Sequence, residues 1–230
     1  MNSLRGMKYK RKRVKICCSL LLIFLTILST VGCGAKTDAM EYVAGSLDAA
    51  YKASYDTYMK VTGCEKKEAQ KLHKRRLKEC MSYVENANIS EELQGKYREL
   101  FENFLKSAFY SVDSVKKKNG EYLVSIKVNP YNMFSDIEEE LGQAVDAYYE
   151  EVTASAAASG TPLPNDQEAR EKVYELLFQI LEEHGAHITY GEEKVVTIRV
   201  KKTGFKNFVI EKEDLQKLDN VLLDMTAMGF

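Results

Sequence analysis

Cys33 divides the chain into a stretch unsuited to a folded body and a stretch that must form one. Residues 1–15 hold seven basic side chains (Arg5, Lys8, Lys10, Arg11, Lys12, Arg13 and Lys15) and no acid, and residues 16–31 carry no charge at all. Small residues follow in Thr30-Val31-Gly32-Cys33-Gly34. A basic segment, an apolar segment and a small-residue cut site make a secretory signal, which is removed from the mature protein. Its Lys/Arg stay inside and the remainder is carried out. Arg11 and Arg13 are separated by Lys12, so no twin-arginine signal is present. The expected organisation is a signal peptide over residues 1–32, a short tether over 33–38 and an extracytoplasmic domain over 39–230, with a sub-boundary at 159–165.

A cysteine placed just after such a cut site resembles the lipobox of bacterial lipoproteins, with Thr30 where that pattern favours Leu. The resemblance implies cleavage between Gly32 and Cys33, and acyl chains on Cys33. It places the protein on the outer face of the cell membrane, with lipid as its membrane contact. The competing reading is an uncleaved anchor. Twenty uncharged residues separate Lys15 from Lys36, marginally enough to span about 30 Å as a helix. The strongly apolar part of that run stops near Val31.

Whole-chain charge hides the character of the domain. The chain carries 33 Lys/Arg against 34 Asp/Glu; without the seven leader residues, 26 face 34, a formal charge of −8. That balance disfavours sequence-independent nucleic-acid binding, which needs a basic face, and argues against binding anionic lipid through the body of the domain. Cys64 and Cys80 are the cysteines left in the body once Cys17 and Cys18 go with the leader and Cys33 takes lipid. They stand about 24 Å apart along one helical pattern at 1.5 Å per residue, which predicts no disulfide between them.

Periodicity predicts an α+β fold, with several amphipathic helices on a small antiparallel sheet of about four strands. A cystatin-like or NTF2-like cup is the candidate form. Helices are expected over Asp38–Tyr55, Glu65–Ala87, Ser90–Ala108, Ser135–Ala156, Asp166–His184 and Asp214–Met225, with 56–62 ambiguous. Ser135-Asp136-Ile137-Glu138 has capping-box spacing. Alternation predicts a hairpin from Tyr110 to Val128 around Lys118-Asn119-Gly120, and a second over Val195–Ile210, with Ile188–Tyr190 as an optional short strand. Pairing Val112 with Ile126 needs an odd loop, so a three-residue turn with Gly120 left-handed is expected.

This order of elements, with the lipobox, resembles a group of uncharacterised secreted lipoproteins of Gram-positive, clostridia-type bacteria. The resemblance rests on Tyr42-Val43, Leu47-Asp48-Ala49, Tyr51-Lys52, Tyr58-Met59-Lys60, Tyr97-Arg98-Glu99-Leu100-Phe101, Val128-Asn129-Pro130 and Ile210-Glu211-Lys212-Glu213-Asp214-Leu215. The group is a domain of unknown function, so it implies no activity and no catalytic residues.

No residue pattern carries chemistry of its own. His73 reads as a boundary residue beside Leu72. His184 and His187 read as the end of a helix broken by Gly185, where a cationic imidazole suits the dipole; a metal would need a carboxylate such as Glu182 or Glu183 to join them. Glu138-Glu139-Glu140 and Glu150-Glu151 read as solvated faces. Tyr51, Tyr97, Tyr110 and Tyr148 read as packing residues, with a tyrosine-lined pocket as the alternative. The expectation is a non-catalytic binding or interaction module without metal or cofactor. Its partner would be an unidentified envelope protein or a small ligand. A small-ligand cup and an envelope hydrolase are the competing readings.

Overall fold

The computed structural model describes residues 34–223, apart from residues 133, 135, 205 and 206 and the side chain of Tyr83. Cys33 and the leader lie outside this range, as do Ser135, Phe205 and the expected end of the last helix at Met225. Among the described residues the first helix, α1, spans 34–50, so residues set aside as a tether carry helical backbone. It is followed by α2 (Asp56–Thr62), α3 (Lys66–Glu85), α4 (Glu91–Lys106), β1 (Phe109–Lys118), β2 (Glu121–Asn129), α5 (Ile137–Ser159), α6 (Asp166–Ala186), β3 (Lys194–Lys202), β4 (Phe208–Ile210) and α7 (Lys212–Leu222). The ambiguous 56–62 segment is a helix, ended by Gly63 at φ 74°, a left-handed position that costs glycine little.

The four strands form one antiparallel sheet in the order β1-β2-β3-β4, the α+β architecture predicted from the sequence. Tyr122, Val124, Ile126 and Val128 of β2 and Val196, Ile198 and Val200 of β3 are buried on one face. Leu93, Tyr97, Leu100, Phe101, Phe104 and Leu105 of α4 join them in a single core. Ser90 caps α4 by accepting the Leu93 N–H, and Glu91 and Glu92 fill its first turn, where the dipole favours acids.

The β1–β2 pairing is the predicted one, Tyr110 with Val128 and Val112 with Ile126, but the means differ. Lys118 pairs with Glu121 across a two-residue Asn119-Gly120 turn, both residues at positive φ. The ladder slips by one between Val112 and Ser114, leaving Asp113 as an unopposed bulge residue. A two-residue turn alone would have put Val112 opposite Lys127; the bulge restores the parity that keeps apolar side chains inside. Residues 188–190 contribute one isolated bridge, Tyr131 with Tyr190.

The free edge of β3 is closed by a side chain. β4 pairs with Val200, Lys201 and Lys202, and just before them the Asp214 carboxylate accepts the Arg199 backbone N–H at 2.9 Å. The same carboxylate takes the Arg199 guanidinium at 2.7 Å. Asp214 thus stands in for a missing strand at an exposed edge.

The α5–α6 hairpin is a half-covered outrigger. Ile137 is the buried residue of α5, and Leu177 and Leu181 are those of α6; the stripe at Leu141, Val145, Tyr148 and Val152 is only half-buried. Tyr97 fastens α6 to α4 by donating its hydroxyl to the Tyr174 carbonyl at 2.7 Å. Gly185 does not end α6, which runs on to Ala186. A Cβ at Gly185 would lie 2.7 Å from the Phe104 ring, so this glycine serves close helix packing rather than termination.

Candidate functional site

Chemistry-bearing side chains gather in two surface clefts and one buried cluster. The first cleft, about 740 Å³, lies between the α3–α4 loop and the α5–α6 hairpin, with Tyr148, Lys172 and Glu175 on its walls. Its polar groups hold the hairpin in place. Asn88, at φ 55°, donates its amide to Gln167 at 2.9 Å, and the Gln167 amide donates back to the Asn88 carbonyl at 2.7 Å. The Ser90 N–H donates to Glu171 at 2.8 Å. Asn165 begins α6 with a complete capping box, its side chain accepting from Gln167 and Glu168 while Glu168 reaches back. These bonds satisfy helix-end groups that would otherwise be orphaned.

The second cleft, about 520 Å³, brings together both histidines singled out in the sequence. Asn132, Asp136, Glu140, Glu183, His184 and His187 line it. His184 Nε2 lies 2.9 Å from Glu140. Glu140 belongs to the first turn of α5 and His184 to the last turn of α6. The Glu140 carboxylate therefore sits where the α5 dipole favours it, and the contact ties the two helix ends together. The Glu140 side chain is partly exposed, so the contact is solvent-screened and worth little by itself. No group of three or more metal-ligating side chains occurs among the described residues.

The buried cluster was not legible in the sequence. At the end of α1, Tyr51 is fully buried and donates its hydroxyl to Asp219 of α7. The other Asp219 oxygen meets the Arg76 guanidinium at 2.7 Å, and Arg76 also stacks over the Tyr51 ring at 5.2 Å. Burial raises the Asp219 carboxyl above its ordinary value, against the pull of Arg76 and the Tyr51 hydroxyl. Beside them, Tyr110 donates to Asp48 at 2.9 Å, with Lys52 4.4 Å from its ring. His73 is buried rather than a boundary residue, and its Nδ1 lies 2.9 Å from the Ala50 carbonyl; Leu72 is the half-exposed neighbour. α1 is thus fastened to α3, β1 and α7 by polar bonds whose partners are far apart in sequence, 168 residues for Tyr51 and Asp219.

Cys64 and Cys80 are free thiols. Cys80 is inside the core, where burial pushes its thiol up to about 12, the opposite of an activated cysteine. Tyr51 and Tyr97 are core residues as expected, Tyr110 is half-buried, and Tyr148 turns its ring toward the first cleft and the Tyr149 ring, 5.3 Å away.

No protein-family model matches the chain, and no curated protein matches it. Among solved structures the chain is similar to a crystal structure described as a candidate lipoprotein (ycdA) from Bacillus subtilis subsp. subtilis str. 168, at a TM-score of 0.55 and 17% identity, covering 81% of this chain and 56% of that one. The likeness is one of fold. This chain spans little more than half of that protein's length, and the neighbour comes from Bacillus rather than from the clostridia-type group.

Proposed function

We propose that this chain is a lipoprotein of the bacterial envelope. Its leader is cleaved before Cys33, the Cys33 thiol takes a diacylglyceryl group, and the α+β body acts on the outer face of the cytoplasmic membrane as a non-catalytic binding or interaction module. The observation that carries this reading is the position of Cys33. It closes a basic-then-apolar leader and precedes the helical residues described from 34 onward, so a cut at that point leaves every described residue of the body in place. The fold shared with a candidate Bacillus lipoprotein supports it. A diacylglyceryl group supplies two acyl chains, and at about 0.8 kcal/mol per buried CH₂ two chains make a stable anchor.

A binding role is supported over catalysis by the way polar groups are used in both clefts. Asn88, Gln167, Glu171, Glu140 and His184 are engaged with other parts of the chain, and neither cleft presents an activated cysteine. Fractionation of cells fed a labelled fatty acid tests the anchor. Label should enter the wild-type chain and vanish from Cys33→Ser, which should leave the mature membrane-bound band. Equal labelling of the two would overturn the proposal.

A further inference from the structure

The body is strongly polarised in charge, and the first described residues of α1 lie toward its basic end. β1 closes on Lys116, Lys117 and Lys118, and β3 closes on Lys201 and Lys202. The antiparallel register puts these lysines together: Lys117 opposes Tyr122, Tyr122 opposes Val200, and Lys202 opposes Phe208. All five are exposed. Lys201 is paired with Glu121 and Glu211. Lys116, Lys117, Lys118 and Lys202 have no carboxylate within ion-pair distance among the described residues. Lys117 and Lys202 lie instead over the rings of Tyr122 and Phe208, at 5.6 and 5.7 Å.

The opposite end of the sheet is acidic. Glu138, Glu139 and Glu140 fill the first turn of α5, Glu182 and Glu183 close α6, and Glu192 and Glu193 precede β3. Lys127, held by Glu193 at 3.2 Å, and Lys194 lie at this end of the strands. A formal charge of −8 for the whole body therefore conceals a dipole.

The direction of α1 is fixed by its aromatic contacts. Tyr42 packs on Phe208 of the basic end, ring centroids 5.5 Å apart. Tyr51 packs on Tyr110 near the other end, at 5.7 Å. Residue 34 lies eight residues before Tyr42, about 12 Å further along the helix, so α1 enters from the side of the lysine-bearing hairpin tips. Lys36 is exposed on its first turns, with Asp38 and Glu41 as neighbouring acids.

We propose that this basic end is the membrane-facing end of the body, and that Lys116, Lys117, Lys118 and Lys202 rest on anionic lipid headgroups. The inference depends on the anchor at Cys33, one residue before the described part of α1. Attraction at the tips then holds the body upright, with the acidic cleft displaced from the surface. Lysines near an anionic surface gain about 1 kcal/mol each, within a Debye length.

The mature lipidated protein, reconstituted in vesicles of phosphatidylglycerol or of phosphatidylcholine, is floated on a density gradient. It is then treated with a neutral water-soluble acylating reagent, and each lysine is read by mass spectrometry. Acylation of Lys116, Lys117, Lys118 and Lys202 should be about fivefold slower on phosphatidylglycerol, the factor that about 1 kcal/mol sets, and the difference should vanish in 0.5 M salt. Lys127 and Lys194 should react alike on both. Floating protein whose tip lysines react equally on the two lipids, or whose Lys127 and Lys194 are slowed instead, overturns the orientation alone. Protein that does not float overturns the anchor, and the orientation with it.

Discussion

Two glycines inside helices should respond to alanine with opposite signs. A Cβ on Gly45 of α1 would lie 2.7 Å from the Tyr58 backbone nitrogen, 2.9 Å from its Cα and 3.0 Å from the Thr57 carbonyl carbon. Ordinary contact begins at 3.4 Å, so the backbone of α2 would have to retreat by about 0.7 Å. Backbone cannot swing aside as a side chain does. Overpacking of this kind costs about 1–3 kcal/mol, and the gain in helix propensity returns about 1 kcal/mol. Gly45→Ala should therefore lose up to about 2 kcal/mol. Gly95 of α4 has nothing within 4 Å of its Cβ position, so Gly95→Ala should gain about 1 kcal/mol from propensity alone. Urea unfolding followed by circular dichroism compares them directly. With a slope of about 2–3 kcal/mol per molar, the two midpoints should move in opposite directions and separate by several tenths of a molar or more. Gly45→Ala raising the midpoint as far as Gly95→Ala would refute the close approach of α1 and α2.

Arg76→Met should cost about 3 kcal/mol, because it leaves Asp219 buried without its cation; adding Asp219→Leu should recover part of that loss, and additive losses in a double-mutant cycle would count against the cluster. Asp214 is 2% exposed; burial pushes its carboxyl up, but hydrogen bonds from Arg199 and Lys217 outweigh this and hold it below its ordinary 3.8. Its contribution is therefore complete above about pH 4 and fades as pH falls through the folded value. Asp214→Asn should lower the urea midpoint at pH 6 and leave a smaller difference from wild type at pH 2.5; an unchanged gap between the two pH values would contradict this. Cys80, with its thiol pushed up to about 12 by burial, should resist alkylation at pH 8 until the chain unfolds, while half-buried Cys64 reacts first; equal rates in the native protein would show that α3 is not packed as described.

Local signals were legible and long-range polar pairings were not. The apolar stripe of α4 from Leu93 to Leu105 has a strict helical period and a capping serine, and every residue of it lies in the core. The strand parity of Val112 and Ile126 was equally readable, because an apolar side chain has one acceptable face. Where the extra residue would go was not: a three-residue turn and a bulge at Asp113 restore the same parity, and alternation cannot distinguish them. Gly185 looked like a helix end because glycine usually breaks helices, yet here the Phe104 ring demands its missing Cβ. His73 was misplaced because its partner is a backbone carbonyl on another helix, Ala50. Tyr51, Arg76 and Asp219 are each unremarkable in sequence, and only packing brings them together.

The basic end was hidden for a related reason. Lys116–Lys118 and Lys201–Lys202 stand far apart in the sequence, and the summed charge of the body pointed away from anionic lipid. Strand register makes them one surface.

The central claim concerns the sulfur of Cys33. Intact mass and fragment spectra of the chain extracted from membranes should show an N-terminus at Cys33, with its sulfur carrying a diacylglyceryl group. A native chain that still starts at Met1, with Cys33 an unmodified thiol, would contradict the account.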